Sequence, residues 1–190
     1  MDNALKIINY LGKHSREKYT MHELSQMLHI PYASFYRTIE VIKDLLVIEN
    51  VGKSKVLSLN IKISIVKAHL TISSDEEKKE FLKKQPILNK ISRELNTEDI
   101  VLLFGSYAKG KETGKSDIDL LIINKNGQRD LSFSKYELLF KKKINPMFIT
   151  SKEFKEMLKD KEENVGKQAL KDHIILNNPE QFWELVLNAV

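Results

Sequence analysis

VLLFGSYAKGKETGKSDIDLLII, residues 101–123, decides how this chain is read. The apolar run from Ile100 to Phe104 ends in Gly105-Ser106, and Gly110 follows. Ser116-Asp117-Ile118-Asp119 then opens a second apolar run, Leu120 to Ile123. The pattern predicts two buried strands joined by a polar turn rich in glycine and lysine. Side chains alternate faces along a strand, so Asp117 and Asp119 project together and Ile118 projects opposite. Two adjacent carboxylates repel unless a cation neutralises them, and Mg²⁺ does so through oxygen ligands while keeping positions open for phosphates. Gly105 lets backbone approach a ligand closely. Ser106 adds a hydroxyl at an expected helix start, where free N–H groups favour an anion. A phosphate cradle beside a carboxylate pair describes a metal–nucleotide site. The plainer alternative is a polar hairpin whose aspartates only cap a turn.

Gly105, Ser106, Gly110, Ser116, Asp117 and Asp119, with the apolar run behind them, resemble the signature of the DNA polymerase β superfamily of nucleotidyltransferases. The likeness is in particular to the small minimal nucleotidyltransferases, and it spans about residues 96–178. It implies a small mixed sheet flanked by helices and a nucleoside triphosphate held at Gly105-Ser106. It also implies two Mg²⁺ ions clamping an in-line displacement at the α-phosphate. The family's third metal-binding carboxylate lies on the next strand, expected here over Lys143 to Thr150, where the matching residue is Asn145. An amide oxygen can ligate a cation but brings no charge and is a poor base. Pro146 lacks a ladder donor, so this strand is expected at an edge or bulged. Lys109, Lys111 and Lys115 surround the motif. Lys109 is the preferred partner for triphosphate charge, with solvated loop lysines as the alternative.

Composition bounds the rest. The chain has 190 residues, 42% hydrophobic and 30% charged, as in a globular protein with one large or two small domains. No apolar run has the length of a membrane span, and the N-terminus lacks a signal-peptide layout, so a cytoplasmic protein with no membrane partner is expected. Zero cysteines exclude disulfides, thiolate zinc and a cysteine nucleophile. The histidines show no ligand spacing. The net charge of +5 is unevenly spread: residues 1–70 hold ten Lys/Arg against six Asp/Glu, with four of the five histidines. That is the balance of a nucleic-acid-binding N-terminal module.

The N-terminal third reads as three helices and a hairpin. Ala4, Ile7, Ile8 and Leu11 recur at helical spacing over residues 2–14. Thr20 with Glu23 forms a capping box that opens a second helix burying Leu24, Met27 and Leu28. A third helix runs from Tyr32 to Leu45 with Phe35, Ile39 and Ile42 inward. Two strands, 47–49 and 56–59, flank a basic loop. This segment resembles a winged helix-turn-helix, in which the third helix would enter the major groove. The resemblance implies DNA contacts from Tyr32, Ser34, Tyr36 and Arg37, with Lys53 and Lys55 on phosphates. His29 stands where such turns often carry glycine, and Pro31 where a capping Ser or Thr is usual. The alternative use of the fold is a protein contact or dimer surface.

Residues 62–95 read as a helical connector. Ser74 and Glu77 form a second capping box that starts a helix over 75–84, and Pro86 opens another. Beyond the central motif, helices are expected over 131–140, from Thr150 to about Lys161, and after Pro179, with a short strand at 174–176. The expected architecture is α+β in two domains: a winged helix (1–61), the connector (62–95) and a nucleotidyltransferase domain with a C-terminal helix (96–190). The expected activity is Mg²⁺-dependent transfer of a nucleoside monophosphate to an unidentified acceptor. Two alternatives stand beside it. One is a DNA-binding regulator whose second domain senses nucleotide or mediates assembly; the other is a toxin–antitoxin component with a protein partner. By analogy with other winged helices, a homodimer is expected.

Overall fold

The computed structural model describes residues 1–52 and 54–189. They form an α+β protein of two compact units, residues 1–76 and 77–190. No helix among the described residues is long and apolar enough to cross a membrane.

In the first unit, α1 (Asn3–Lys13) is capped by Asp2, whose side chain accepts from the Leu5 amide at 2.8 Å. A two-residue strand β1 (Tyr19–Thr20) leads into α2 (Met21–Met27), and α3 (Tyr32–Ile42) follows. The strands β2 (Leu46–Val51) and β3 (Ser54–Leu59) form a hairpin, and β1 joins it to give the antiparallel order β1-β3-β2. Thr20 and Glu23 close the expected capping box at the start of α2. His29, between α2 and α3, adopts φ +52°, and Pro31 stands at the N-cap of α3 without a side-chain cap bond. Ile7, Ile8, Leu11, Leu24, Phe35, Ile39 and Leu57 fill the core.

Three local expectations are corrected. Met27 is 48% exposed: in the last turn of α2 Leu24 and Ser25 face the core, and Met27 lies beside the Tyr10 hydroxyl at the rim. The third helix stops at Ile42 and passes into a 3₁₀ turn, Lys43–Leu45. The capping box at Ser74 does not start a helix: α4 runs unbroken from Ser64 to Leu82, and Ser74 is buried inside it. A capping box starts a helix only where no upstream turn already supplies carbonyls to the amides that follow. Here the preceding turns do, and the neighbouring Ser73 hydroxyl donates to the Leu70 carbonyl at 2.9 Å, as a mid-helix serine can.

The second unit is built on a mixed four-stranded sheet in the order β6-β5-β4-β7. Strand β4 (Ile100–Phe104) pairs antiparallel with β5 (Ile118–Asn124) and with β7 (Ile174–Asn177), while β6 (Ile144–Thr150) pairs parallel with β5. Pro146 therefore lies on an edge strand, where its missing donor costs no ladder bond. The nearly unbroken apolar runs of β4 and β5 follow from burial on both faces. One face carries Val101, Leu103, Ile118, Leu120 and Ile122, packed with Leu88 and Ile91 of α5 (Pro86–Glu94) and Tyr136 of α7 (Ser134–Phe140). The alternate residues face α8 (Ser151–Lys159), α9 (Val165–Lys171) and α10 (Pro179–Leu187). There Phe154, Phe182 and Trp183 are fully buried, with Phe182 and Trp183 edge to face at 5.1 Å. Trp183 is thus a core residue. Helix α9 has no counterpart in the sequence reading. A four-residue helix, α6 (Gly105–Ala108), leaves the end of β4 and starts the turn back to β5.

Candidate active site

The antiparallel register of β4 and β5 sets Phe104 opposite Asp119, so α6 begins beside that carboxylate. Gly105 adopts φ +74°, and a Cβ built on it would lie 2.4 Å from Asp119 Oδ2. Glycine is therefore required twice, by the left-handed backbone and by the carboxylate occupying the space of its side chain. Gly110, at φ +62°, follows the C-cap of α6, where a left-handed glycine ends the helix. A Cβ there would meet nothing within 4 Å.

The parallel register of β5 and β6 sets Asn145 beside Asp119. Asn145 Nδ2 donates to Asp117 Oδ2 and to Asp119 Oδ1, each at 3.2 Å. The three residues singled out as metal ligands thus meet at one point, at the ends of two neighbouring strands. Asp117 precedes the first residue of β5, and its side chain is 39% exposed. Lys143 Nζ stands 3.5 Å from Asp117 Oδ2. A family model described as a nucleotidyltransferase domain matches residues 86–187, more than half of the chain. The chain belongs to this family. Comparisons with curated proteins and with solved structures found no match.

Around the carboxylates of this nucleotidyltransferase, the lysines and Ser116 divide into distinct roles. Lys109, the preferred triphosphate partner, pairs with Asp172 Oδ2 at 3.4 Å. Ser116 Oγ accepts from the Thr113 amide at 2.9 Å and closes the turn between α6 and β5. Ser106 is half-buried in the first turn of α6. Lys111 and Lys115 are exposed.

Lys142 was not singled out in the sequence. Its Nζ donates to the carbonyls of Gly114 at 2.6 Å and Ser116 at 3.4 Å, and it stands 5.9 Å from the Tyr107 ring centre. It ties the lysine-bearing loop to the start of β6. Lys143 entered only as the first residue of the strand expected over 143–150. The signal that could have found both is the pairing of β6 with β5, which brings residues 142–145 alongside 116–119.

The donor set defines what it can hold. Two carboxylates and one amide oxygen suit a single hard divalent cation once the Asn145 amide turns its oxygen inward. Among the described residues no group of three or more His, Cys, Asp or Glu side chains could hold a metal. The chain thus supplies two charged ligands where the resemblance implies three.

The first unit gathers three of the residues singled out for DNA. Tyr32, Tyr36 and Lys55 line a cavity of about 360 Å³ with Thr20, Met21, His22 and Ser54. Tyr32 and Tyr36 are 50% and 42% exposed. Ser34 is half-buried, and exposed Arg37 folds its Nε onto the Ala33 carbonyl at 3.2 Å. Lys53 lies outside the described residues.

Proposed function

We propose that this nucleotidyltransferase transfers a nucleoside monophosphate from a nucleoside triphosphate to an acceptor hydroxyl, and that residues 1–61 act as a winged helix-turn-helix that brings it to DNA. The observation that carries the first half is the convergence of Asp117, Asp119 and Gly105 within a chain of this family. Asp117 and Asp119, with Asn145, would hold Mg²⁺. When bound, the cation supplies charge neutralisation and orientation at the phosphates.

The chain's own contribution is positioning. Gly105 leaves room for the Asp119 carboxylate and for a phosphate oxygen against bare backbone, and Ser106 offers a hydroxyl to the triphosphate. Lys109 would exchange Asp172 for phosphate charge. In the transfer, the acceptor oxygen bonds to the α-phosphorus, the bond to the β-phosphate oxygen breaks, and pyrophosphate leaves. The acceptor proton passes to an aspartate or to solvent, since the neutral amide of Asn145 is no base. The test is label transfer from α-³²P triphosphates to nucleic acid, protein and small-molecule acceptors. Asp119→Asn should abolish it, and Asn145→Asp should raise it. Labelling unchanged by Asp119→Asn would sink the assignment.

A specific contact favours a second reading, in which the domain binds nucleotide without turnover and the protein is a DNA-binding regulator. The Asn145 amide already satisfies both carboxylates, which a carboxylate at that position could not do. The winged-helix half rests on three helices, a hairpin and the aromatic–lysine surface of Tyr32, Tyr36 and Lys55. Binding of the full chain to duplex DNA should weaken steeply with salt and weaken further in Arg37→Ala. Affinity insensitive to salt would end the DNA reading.

A further inference from the structure

The charges around Asp117 and Asp119 do not fit a pair of divalent cations. Within reach of one another stand two carboxylates, one neutral amide and one ammonium: Asp117, Asp119, Asn145 and Lys143. Their formal sum is a single negative charge. A site with a third carboxylate in place of Asn145 and no lysine would carry three. One divalent cation already overturns the charge present here. A second, about 4 Å from the first, would meet repulsion that three carboxylates offset and this set does not.

The geometry adds to the charge. Asn145 Nδ2 reaches both aspartates at 3.2 Å, so one amide spans the gap that a shared carboxylate would bridge between two ions. Lys143 Nζ lies 3.5 Å from Asp117 Oδ2, the same oxygen that accepts from Asn145. That oxygen faces a protein cation already. Lys143 is 68% exposed on its side chain and pairs with Asp117. Asp119, hemmed in by Gly105 on one side and Asn145 on the other, is the better-fixed ligand.

We infer that this site holds one divalent cation rather than two, and that Lys143, with the Asn145 amide, stands in for the second. The inference rests on the proposed reading of Asp117 and Asp119 as metal ligands and deepens it. Lys143 acts here as a positioning residue and built-in counter-charge. Its ammonium sits beside Asp117 Oδ2 and competes there with any further cation.

The experiment counts ions directly. Mn²⁺ alone is titrated into the full chain and followed by electron paramagnetic resonance, which gives the number bound and shows whether two ions are exchange-coupled. Wild type should bind one Mn²⁺ with an uncoupled spectrum. Lys143→Ala should bind the same single ion about tenfold more tightly, by removal of one nearby positive charge. The pair Lys143→Ala with Asn145→Asp should bind two, with the coupled spectrum of neighbouring ions. Both substituted side chains lie at the surface or half-buried, and circular dichroism checks that each variant is folded.

Two coupled ions in wild type overturn the inference and leave the proposed function standing. A double variant that still binds one ion overturns it as well, since Lys143 and Asn145 then do not set the number. Mn²⁺ absent from every variant, or bound equally well by Asp119→Asn, overturns the reading of the carboxylates and the inference with it.

Discussion

Replacing Gly105 with alanine tests the central claim about the site, and Gly110 supplies the control. Both glycines hold left-handed backbone, at φ +74° and +62°. An L-residue there costs about 1–2 kcal/mol. Each alanine variant should therefore lose a similar amount of stability and several degrees of Tm. The two differ in what the new methyl group meets. At Gly110 it meets nothing within 4 Å. At Gly105 it would stand 2.4 Å from Asp119 Oδ2, 3.3 Å from Cγ and 3.4 Å from Cβ. The carboxylate must rotate away, since the methyl is fixed to backbone and the oxygen is the movable end. Asp119 then no longer converges with Asp117 on Asn145.

The magnitude follows from the charge displaced. At about 4 Å in water one unit pair is worth about 1 kcal/mol, so a carboxylate lost from a divalent ion costs about 2 kcal/mol. That corresponds to about thirtyfold in Kd. Gly105→Ala should weaken Mn²⁺ binding by about this factor, measured by isothermal titration. Gly110→Ala should leave it within about twofold, since its cost is backbone strain alone. Equal weakening in both variants, or none in either, would refute the argument that Gly105 is there to make room for Asp119.

Other expectations follow from single contacts. Lys142→Ala should speed amide exchange in the loop 111–116 while leaving β5 protected, because its ammonium holds the carbonyls of Gly114 and Ser116; unchanged loop exchange would show that the tie has no hold. Glu94 accepts from Lys90, Lys135 and Tyr136, and these bonds depress its pKa to about 2 from an ordinary 4.5. A depressed carboxylate stabilises the fold above its unfolded pKa and loses that contribution as pH falls through the folded value. The Tm gap between wild type and Glu94→Gln should thus be constant above about pH 5 and close between pH 4.5 and about 2; a gap independent of pH would mean that the three bonds do not distinguish the charged form. Phe154→Ala, at a site with no exposure, should cost about 3–5 kcal/mol in a denaturant titration.

Periodicity and turn chemistry made most of this architecture legible. The runs 100–104 and 120–123 became β4 and β5 because unbroken apolar stretches of that length need burial on both faces. The capping boxes at Thr20 and Thr150 sit where α2 and α8 start. The same signal misled at Ser74, since it is local and cannot tell that the chain is already helical upstream. Strand β1, two residues long, and helix α9, with a glycine and two lysines in seven residues, carry too little pattern to be read alone. Both are held by packing against elements distant in sequence: Tyr19 and Thr20 pair with Leu57 and Val56 of β3, and Ala169 and Leu170 are buried under the second unit's sheet.

The site was legible as a list of residues but not as a set of partners. Lys109 looked suited to phosphate because it follows the glycine-serine turn, yet it pairs with Asp172, more than sixty positions away. Asn145 looked like an uncharged ligand in place of a carboxylate. Placed beside Asp119 by the parallel register, it donates to both aspartates, bonds that a carboxylate at that position could not make. An aspartate at 145 would add repulsion to a pair already short of cations, and Lys143 would be drawn toward it. Asn145 and the lysine two residues before it thus act on the same pair of carboxylates. Asn145 donates to both carboxylates and Lys143 offsets the charge of one, so that Asp117 and Asp119 can stand side by side.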